Sequence, residues 1–572
     1  ALIETLYRPG STTSIHCSSS AAMASVAFAL LTALASRASA KTVKTPTPQM
    51  GWNSYNYYNC YPNETIIKEN AHAVVDTGLA EAGYSTVTTD CGWPAKDRDA
   101  NGELVWNPAL FPSGGAKELG DYLHNLGLKF GVYSGGGYFQ CGSTDQPASL
   151  DHELTDAKSF AAWGADILKY DNCYPIDPTV MVDYVSEEAI SPDRFVTMAE
   201  AMNTTDRDMV YQGCQWGTGT DLGVWVPKIG NSWRISNDIY NSWRSIWRIT
   251  NQVVPFYKYT GPGAFPDMDM LIVGLNALSV EEERFHMGMW SINKSPLTLG
   301  APAIPALVPE HTLSIVANKE VIAINQDPLA KQAQLVRRFT EEEWDVWAGE
   351  LSGDRLVVGI ANWKNDSQAI SFDVADVLGL SSANARDVWA ASDVGSILGT
   401  YETTLVGHEL RLLVLSDLSR AEPVHSSTGY YTATTNGTLS GSAAAVACGS
   451  GGCLPSGSKV GNIGSGAAVK FEGVEAKSEG KKLLGVDFIN YDVALDTAWG
   501  FGANVRNMTV SVNGGTAKRW AFPISGGNWF DTGRLLVEVD GFKGDSSNTV
   551  EFKNVGSEWA PDLVGFEVFE SA

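Results

Sequence analysis

The chain has 572 residues, of which 40 are Lys or Arg and 65 are Asp or Glu, and its formal net charge is -25. At about 100–200 residues per domain, this length predicts several domains. Because 44% of the residues are apolar and only 18% are charged, the composition excludes a mainly disordered chain. The acidic excess disfavours nucleic acid and anionic membrane surfaces as partners, which leaves neutral or cationic ligands.

The N-terminal segment 1–40 carries the pattern of an upstream sequence followed by a secretory signal peptide. Residues 24–35 are strongly apolar but too short to cross a bilayer, which needs about 20 residues. Ala38 and Ala40 then form a small-residue cleavage site, so we expect the mature, extracellular chain to start at Lys41. Glycosylation motifs N-x-S/T, which agree with secretion, occur at Asn63, Asn203, Asn293, Asn365, Asn436 and Asn507.

The mature chain would keep an odd number of cysteines. They lie at positions 60, 91, 141, 173, 214, 448 and 453. In a secreted protein, an odd number predicts disulfides together with one unpaired thiol. Cys448 and Cys453 flank a short Gly-rich loop, so we predict that they bridge each other.

Short β-rich runs alternate with helical patterns from residue 48 to about residue 302. The eight β-rich runs are 49–55, 84–91, 129–135, 165–172, 209–216, 232–238, 265–271 and 296–301. The helical patterns are 65–82, 116–126, 154–163, 242–252, 280–292 and 313–318. Eight strand-then-helix units of this kind predict a TIM (β/α)8 barrel, which we assign to residues 41–330. A doubly wound open sheet is the alternative, but no G-x-G-x-x-G follows the first strand.

The carboxyl ends of these strands carry polar and aromatic side chains, at the face where a barrel places its active site. These residues are Trp52, Asp90, Tyr133, Lys169, Asp171, Gln215, Trp216, Arg234, Asp238 and Asp269. One Asp after a strand commonly caps the next helix, whereas a series on successive strands indicates a site. Hydrolysis of a glycosidic bond needs two carboxyls, which the strand ends of one barrel can supply, and sugar sites also need flat apolar faces such as these aromatics. Lys169 lies two residues before Asp171 and would keep that carboxylate ionised.

Other chemistries have less support in the sequence. The histidines of the mature chain occur singly, without the spacing of a zinc site, and no metal site is predicted. No G-x-S-x-G motif and no phosphate-binding loop ending in Lys-Ser or Lys-Thr is present. The glycine run at 135–137 is better explained as a tight loop at the mouth of the barrel.

Seven motifs in order, MGWNSY, TTDCGW, GVYS, LKYDNC, CQWG, SWRISNDI and GPGAFPDMDML, resemble those of glycoside hydrolase family 27 over residues 47–416. This family contains α-galactosidases and α-N-acetylgalactosaminidases. The resemblance implies a retaining mechanism without metal or cofactor, with Asp171 as nucleophile and Asp238 as acid/base. It implies that the galactose pocket is lined by Trp52, Asp90, Tyr133, Lys169, Arg234 and Asp269. It also implies the disulfides Cys60–Cys91 and Cys141–Cys173.

Three positions depart from the family pattern. Thr89 stands where members often have Asp, and relatives that act on β-L-arabinopyranosides also differ there. Gln215 replaces a common Glu, so recognition of the 2-hydroxyl would use an amide, and the pair Gln215-Trp216 argues against an N-acetylgalactosaminidase. Gly230 stands near where some members have the partner of Cys214, which makes Cys214 our candidate for the unpaired thiol, buried in a strand.

Two β-rich regions follow the barrel. Residues 331–420 alternate as strands with turn signals and predict an antiparallel β domain. Residues 421–572 open with a Gly-, Ser- and Thr-rich stretch, which marks a new domain. Its motifs SKVGNIGSGAAVKFEGV, VSVNGG and PDLVGFEV resemble those of carbohydrate-binding module families 35 and 6. That resemblance implies a jelly-roll β-sandwich; its first strand, YYTATTNG, lacks the acids that would bind calcium. Trp529 and Asp562 are candidate sugar contacts, and core packing of Trp529 is the alternative.

The leading hypothesis is a secreted exo-acting α-galactosidase for galacto-oligosaccharides or galactomannans, with the last domain holding it near the polymer. A β-L-arabinopyranosidase on the same scaffold is the second hypothesis. A galactose-binding lectin without catalysis is the third, against which the intact Asp171 and Asp238 argue.

Overall fold

The computed structural model describes residues 45–422, 425–493 and 504–571. The predicted signal peptide and its cleavage site before Lys41 lie outside these residues. The described residues form an α/β barrel followed by two antiparallel β units. Within them, no helix combines the length and the apolar character that a bilayer crossing requires.

The first unit is a parallel eight-stranded barrel, as predicted. Its strands are β1 (Met50–Asn53), β2 (Thr86–Thr88), β3 (Lys129–Gly135), β4 (Ile167–Asp171), β5 (Val210–Cys214), β6 (Ser232–Arg234), β7 (Phe265–Asp267) and β8 (Leu297–Leu299). They follow the order β7-β6-β5-β4-β3-β2-β1-β8. A parallel bridge between Leu271, just after β7, and Leu299 of β8 closes the sheet on itself. This closure turns the carboxyl ends of all eight strands toward one mouth.

Helices surround the barrel and alternate with its strands. They are α1 (Tyr55–Tyr58), α2 (Glu64–Asp76), α3 (Leu79–Ala82), α4 (Ala116–Asn125), α5 (Glu153–Trp163), α6 (Glu187–Ile190), α7 (Asp193–Met202), α8 (Leu222–Ile229), α9 (Trp243–Val253), α10 (Val280–Ile292), α11 (Glu310–Val316) and α12 (Lys319–Asn325). The single helix predicted over 65–82 is two helices, because Gly78 between α2 and α3 has a left-handed backbone (φ 80°). A capping box between Ser279 and Glu282 fixes the start of α10, where the sequence predicted it.

The second unit is antiparallel. Its elements are β9 (Gln334–Phe339), β10 (Trp344–Leu351), β11 (Arg355–Asn362), β12 (Gln368–Asp373), α13 (Val374–Leu378), β13 (Leu380–Asp387), β14 (Ser392–Leu398), β15 (Thr400–Leu405) and β16 (Leu410–Arg420). Six strands form one sheet in the order β14-β13-β16-β11-β10-β9, and β12 pairs with β15. His408 joins this unit to the barrel, because its Nδ1 lies 2.7 Å from Oε1 of Glu282 and its ring stacks on Trp243.

The third unit is a two-sheet β-sandwich. Its elements are β17 (His425–Thr432), α14 (Ala433–Asn436), β18 (Gly437–Ser440), β19 (Ala444–Ala447), β20 (Ser458–Gly461), β21 (Ala468–Val474), β22 (Gly480–Ile489), β23 (Arg506–Val512), β24 (Lys518–Phe522), β25 (Gly533–Phe542), β26 (Asn548–Asn554) and β27 (Asp562–Ser571). One sheet has the order β19-β20-β27-β22-β25 with β17 also on β27, and the other has the order β18-β21-β26-β23-β24. The two sheets enclose an apolar core of aliphatic and Phe side chains.

Two residues that the sequence predicted to be accessible, a glycosylation position and a candidate sugar contact, have protein partners in the structure. Asn293, one of the N-x-S/T positions, is fully buried, and its amide donates to the carbonyl of Met289 at 2.9 Å. A glycan therefore has no access to this side chain. Asp562, a candidate sugar contact, forms a 2.7 Å ion pair with Lys459, whose ammonium also lies 5.6 Å from the ring centre of Trp529.

Candidate active site

A cavity of about 160 Å³ opens at the mouth of the barrel. Eight of the ten site residues predicted from the sequence line it: Asp90, Tyr133, Lys169, Asp171, Trp216, Arg234, Asp238 and Asp269. They come from the ends of six strands, which the barrel topology brings together although they span positions 90 to 269 of the sequence.

Asp171 is the last residue of β4 and has three hydrogen-bond donors. The Tyr133 hydroxyl donates to its Oδ2 at 2.8 Å, while the Trp216 indole and the Asn172 backbone amide donate to its Oδ1 at 2.8 and 2.9 Å. Burial raises the pKa of this carboxyl above its ordinary value, and the Lys169 charge and the hydrogen bonds oppose that rise. The donors fix both carboxylate oxygens, so the side chain is held in one orientation.

Lys169 pairs directly with Asp90 rather than with Asp171. Its Nζ lies 2.8 Å from Oδ2 of Asp90, which also accepts a 2.7 Å bond from Asn53. The sequence predicted that the Lys169 charge would keep Asp171 ionised, but in the structure burial has a larger effect on the pKa of Asp171 than this charge has. The Lys169 charge lowers the pKa of Asp171 from a distance, but burial is the larger effect and the pKa is raised. Burial also acts against the charged Lys169, yet the nearby carboxylates outweigh it and raise the pKa of the ammonium.

Arg234 bridges two further carboxylates of the cavity. Its Nη2 lies 2.8 Å from Oδ2 of Asp269 and also forms an ion pair with Asp238. The backbone amide of Ile239 donates to Asp269 at 2.6 Å. Burial raises the pKa of Asp269 above its usual range, although the Arg234 guanidinium acts against this. The side chain of Asp238 is 36% exposed against 3% for Asp269, so Asp238 is the accessible member of this group.

Two predicted site residues, Trp52 and Gln215, are not in the cavity wall. The Trp52 ring is buried, and its indole N–H donates to the carbonyl of Ala301 at 2.9 Å, which directs it into the protein. Gln215 is fully buried, and neither atom of its amide has a partner within the part of the chain that the structure describes. Its neighbour Trp216 reaches the cavity instead, through a left-handed backbone conformation (φ 70°).

Several lining residues did not emerge from the sequence. Tyr55 follows β1, and its ring lies 5.6 Å from the ammonium of Lys169. The MGWNSY motif contains Tyr55, so the motif itself was the signal that could have identified it. Met181, Val182 and Tyr184 belong to the loop after β4, whose sequence has no periodic pattern. The Tyr184 ring meets Trp216 edge to face at 6.0 Å between centroids.

Two disulfides lie beside the cavity, since Cys91, Cys141 and Cys173 are part of its wall. The structure contains Cys60–Cys91, Cys141–Cys173 and Cys448–Cys453. Cys91 follows Asp90 directly and Cys173 lies two residues after Asp171, so the first two bridges fix the segments that carry these carboxylates. Cys214 is buried and has no disulfide partner among the described residues, in agreement with the sequence prediction.

The chain is similar to known proteins along most of its length. Residues 47–327 match the family described as alpha galactosidase A, and residues 341–415 match the alpha galactosidase C-terminal beta sandwich domain. Alpha-galactosidase D of Emericella nidulans is 38% identical over 637 aligned positions, which cover 92% of this chain and 95% of that protein.

Solved structures are also similar to this chain over about two thirds of its length. Alpha-galactosidase I of Mortierella vinacea is 33% identical, with a TM-score of 0.61 over 66% of this chain and 99% of its own. The Saccharomyces cerevisiae α-galactosidase with raffinose is 27% identical, with a TM-score of 0.60 over 65% of this chain and 98% of its own. The chain therefore belongs to the α-galactosidase (melibiase) family of glycoside hydrolases, family 27.

Proposed function

We propose that this enzyme is a secreted exo-α-galactosidase that acts with retention of configuration, with Asp171 as nucleophile and Asp238 as acid/base. One observation carries the proposal: the two carboxylates line the same cavity in contrasting surroundings. Asp171 is buried and held by the Tyr133 and Trp216 donors, whereas the Asp238 side chain is 36% exposed. A fixed nucleophile and an accessible proton donor are what double displacement needs.

The reaction would proceed in two balanced steps. In the first, an Oδ of Asp171 attacks the anomeric carbon while the carboxyl of Asp238 gives its proton to the departing glycosidic oxygen. The galactosyl group is then an ester of Asp171, and Asp238 is a carboxylate. In the second step Asp238 takes a proton from water, the resulting hydroxide attacks the anomeric carbon, and Asp171 leaves as a carboxylate.

The remaining polar groups would bind the sugar hydroxyls. The Lys169–Asp90 pair and the Arg234–Asp269 pair offer donors and acceptors in the cavity wall, and Trp216 offers an apolar face. A volume of about 160 Å³ suits a single terminal sugar residue better than the interior of a polymer. The yeast relative solved with raffinose supports galacto-oligosaccharides as substrates.

Secretion and polymer binding complete the proposal. The signal-peptide pattern in residues 1–40 and the disulfides of the barrel support export to an oxidising compartment. The third unit has the two-sheet architecture expected of a carbohydrate-binding module, with Trp529 and Asp562 as its proposed sugar contacts. N-terminal sequencing of protein collected from the medium should give Lys41 as the first residue, and binding to insoluble galactomannan should weaken in Trp529→Ala.

The deciding experiment compares initial rates on an aryl α-D-galactoside and an aryl β-L-arabinopyranoside, and follows the anomer released first by NMR. We expect the galactoside to be preferred and α-galactose to appear first. Asp171→Asn should lower kcat by about 10⁴-fold or more. The matched control is Asp545→Asn, which changes an exposed turn residue of the third unit and should leave kcat unchanged. Preference for the arabinopyranoside, β-galactose as first product, or sugar binding without turnover would each overturn the proposal.

A further inference from the structure

The loop after β5 has an unusual backbone. Four of its residues have left-handed conformations: Trp216 (φ 70°), Gly217 (φ 73°), Gly219 (φ 71°) and Asp221 (φ 58°). Glycine adopts this conformation without cost, whereas Trp216 and Asp221 have to be held in it by their surroundings. Trp216 is also the residue whose indole bonds the carboxylate of Asp171 at 2.8 Å. The conformation of this loop therefore decides where a donor to the proposed nucleophile lies.

The third unit holds this loop in place. The Asn528 side-chain amide donates to Oδ1 of Asp221 at 2.8 Å, and the Asp221 backbone amide donates to the carbonyl of Gly527 at 3.0 Å. The Tyr491 hydroxyl donates to the carbonyl of Gly219. A Cβ on Gly527 would lie 3.0 Å from Cα of Asp221, so the two backbones are in close contact. These contacts act on Gly219 and Asp221, which are two of the four left-handed residues of the loop.

A second contact of the third unit leads to the loop that carries Asp238. The Asn504 side-chain amide donates to the carbonyl of Arg248 and to Oε1 of Gln252, both at 3.0 Å. The Arg248 guanidinium in turn donates to the carbonyl of Asp238 at 2.9 Å, and the Gln252 amide donates to the carbonyl of Ile235. The third unit thus braces two loops, the one that carries the Trp216 donor and the one that carries Asp238.

We infer that the third unit positions the catalytic groups, and that Asn528 is a positioning residue that acts on Asp171 through Asp221 and Trp216. The inference rests on the proposed role of Asp171 as nucleophile. A unit that only tethered the enzyme to polymer would need no hydrogen bonds to the loops of the active site. Misplacement of a reacting group by about 1 Å can cost about 100-fold in rate, so a brace of this kind has a measurable effect.

The test uses the full chain and an aryl α-D-galactoside, for which binding to polymer is irrelevant. Asn528→Ala should lower kcat between about 10- and 100-fold with a smaller change in KM. Because the Trp216 donor favours the ionised form of Asp171, its displacement should also move the acid limb of kcat/KM to higher pH. Asn554→Ala is the matched control, since the Asn554 side-chain amide donates to the carbonyls of Gly556 and Glu558 in its own unit.

Two further sets of variants distinguish a positioning role of Asn528 from a general loss of stability. Trp216→Phe should reproduce the pH shift, and adding Asn528→Ala to it should change little, because both act through one hydrogen bond. Asn528→Asp should impair kcat by placing two carboxylates together, and Asp221→Asn in the same chain should restore it by exchanging donor and acceptor. Wild-type kcat and pH profile in Asn528→Ala, additive effects with Trp216→Phe, or absence of rescue would each overturn the inference. Lack of activity in the wild-type protein would instead contradict the proposed function.

Discussion

The hydroxyl of Tyr133 donates a 2.8 Å hydrogen bond to Oδ2 of Asp171 from the neighbouring strand of the barrel. Burial and the adjacent carboxylates raise the pKa of this phenol, so Tyr133 remains a proton donor at every working pH. The bond therefore stabilises the ionised form of Asp171 and opposes the effect of burial on its pKa.

Tyr133→Phe should move the acid limb of the kcat/KM profile to higher pH. A hydrogen bond to a charged group is worth about 1.5–3 kcal/mol, which corresponds to an upward shift of about 1–2 pH units. Activity should fall as the pH drops through the new value, since a protonated Asp171 could not act as the proposed nucleophile. The measurement is a pH–rate profile on an aryl α-galactoside, with the exposed Tyr61→Phe as control. An acid limb at the wild-type pH would contradict this role of Tyr133.

Lys169→Met should destabilise the fold as well as impair catalysis. Asp90, whose side chain is 1% exposed, would lose its 2.8 Å ion pair and remain as a buried, uncompensated charge. Breaking a buried pair in this way costs about 3–5 kcal/mol of the free energy of unfolding. Urea unfolding measures the change. Lys117→Met, which removes an exposed pair with Asp121, should cost less than about 1 kcal/mol, and equal losses in the two variants would argue against a special role for Lys169.

His286 should make the protein sensitive to acid. Burial lowers its pKa to about 3, and its Nε2 accepts a 3.0 Å bond from the backbone amide of Ile272. The unfolded chain takes up a proton near pH 6.5 but the folded chain does not, so stability is lost as the pH falls from about 6.5 toward 3.

His286→Gln keeps an acceptor at this position and cannot be protonated. Between pH 7 and pH 4.5, the wild type should lose about 2–3 kcal/mol more stability than the variant. Urea unfolding at the two pH values gives both numbers. Parallel losses in the two proteins would show that His286 does not contribute to acid sensitivity.

Removal of the disulfide Cys141–Cys173 should affect both stability and activity. The bridge links residues 32 positions apart, which corresponds to about 3–4 kcal/mol of stabilisation through the unfolded state. Both cysteines line the cavity, so kcat should fall in Cys141→Ser/Cys173→Ser. In Cys448→Ser/Cys453→Ser, where the bridge spans 5 positions in the third unit, the cost should be about 2 kcal/mol with kcat kept. Thermal unfolding measures the stability of both variants, and initial rates measure their kcat. A larger loss of stability or of kcat in the Cys448→Ser/Cys453→Ser variant would contradict the prediction.

The sequence predicted the barrel well because its strands have a strong local signal. Each of the eight strands lies inside one of the predicted β-rich runs. The sequence analysis did not predict the helices α7, α8 and α12. In α8, the sequence LGVWVPKI is apolar nearly all round and contains Pro227, so it lacks the alternation of apolar and polar residues that marks a surface helix.

The sequence predicted which residues line the cavity better than it predicted their hydrogen-bond partners. Lys169 was expected beside Asp171, two residues away, but it bonds Asp90, 79 residues away on β2's carboxyl side. Similarly, Gln215 and Trp216 are adjacent in sequence, and only the left-handed backbone of Trp216 decides which of them reaches the cavity. Such pairings depend on strand order and loop conformation, which no local pattern contains.

The hydrogen bond between Asp221 and Asn528 joins residues 307 positions apart in the chain. The ribosome synthesises the chain from its N-terminus, so the barrel emerges well before Asn528 does. Domains generally fold as units in the same order. The loop after β5 can form its hydrogen bond with Asn528 only after the third unit has folded. If Asn528 has the positioning role inferred above, completion of the active site is a late event in biosynthesis, and a nascent chain released early would have a barrel without this contact.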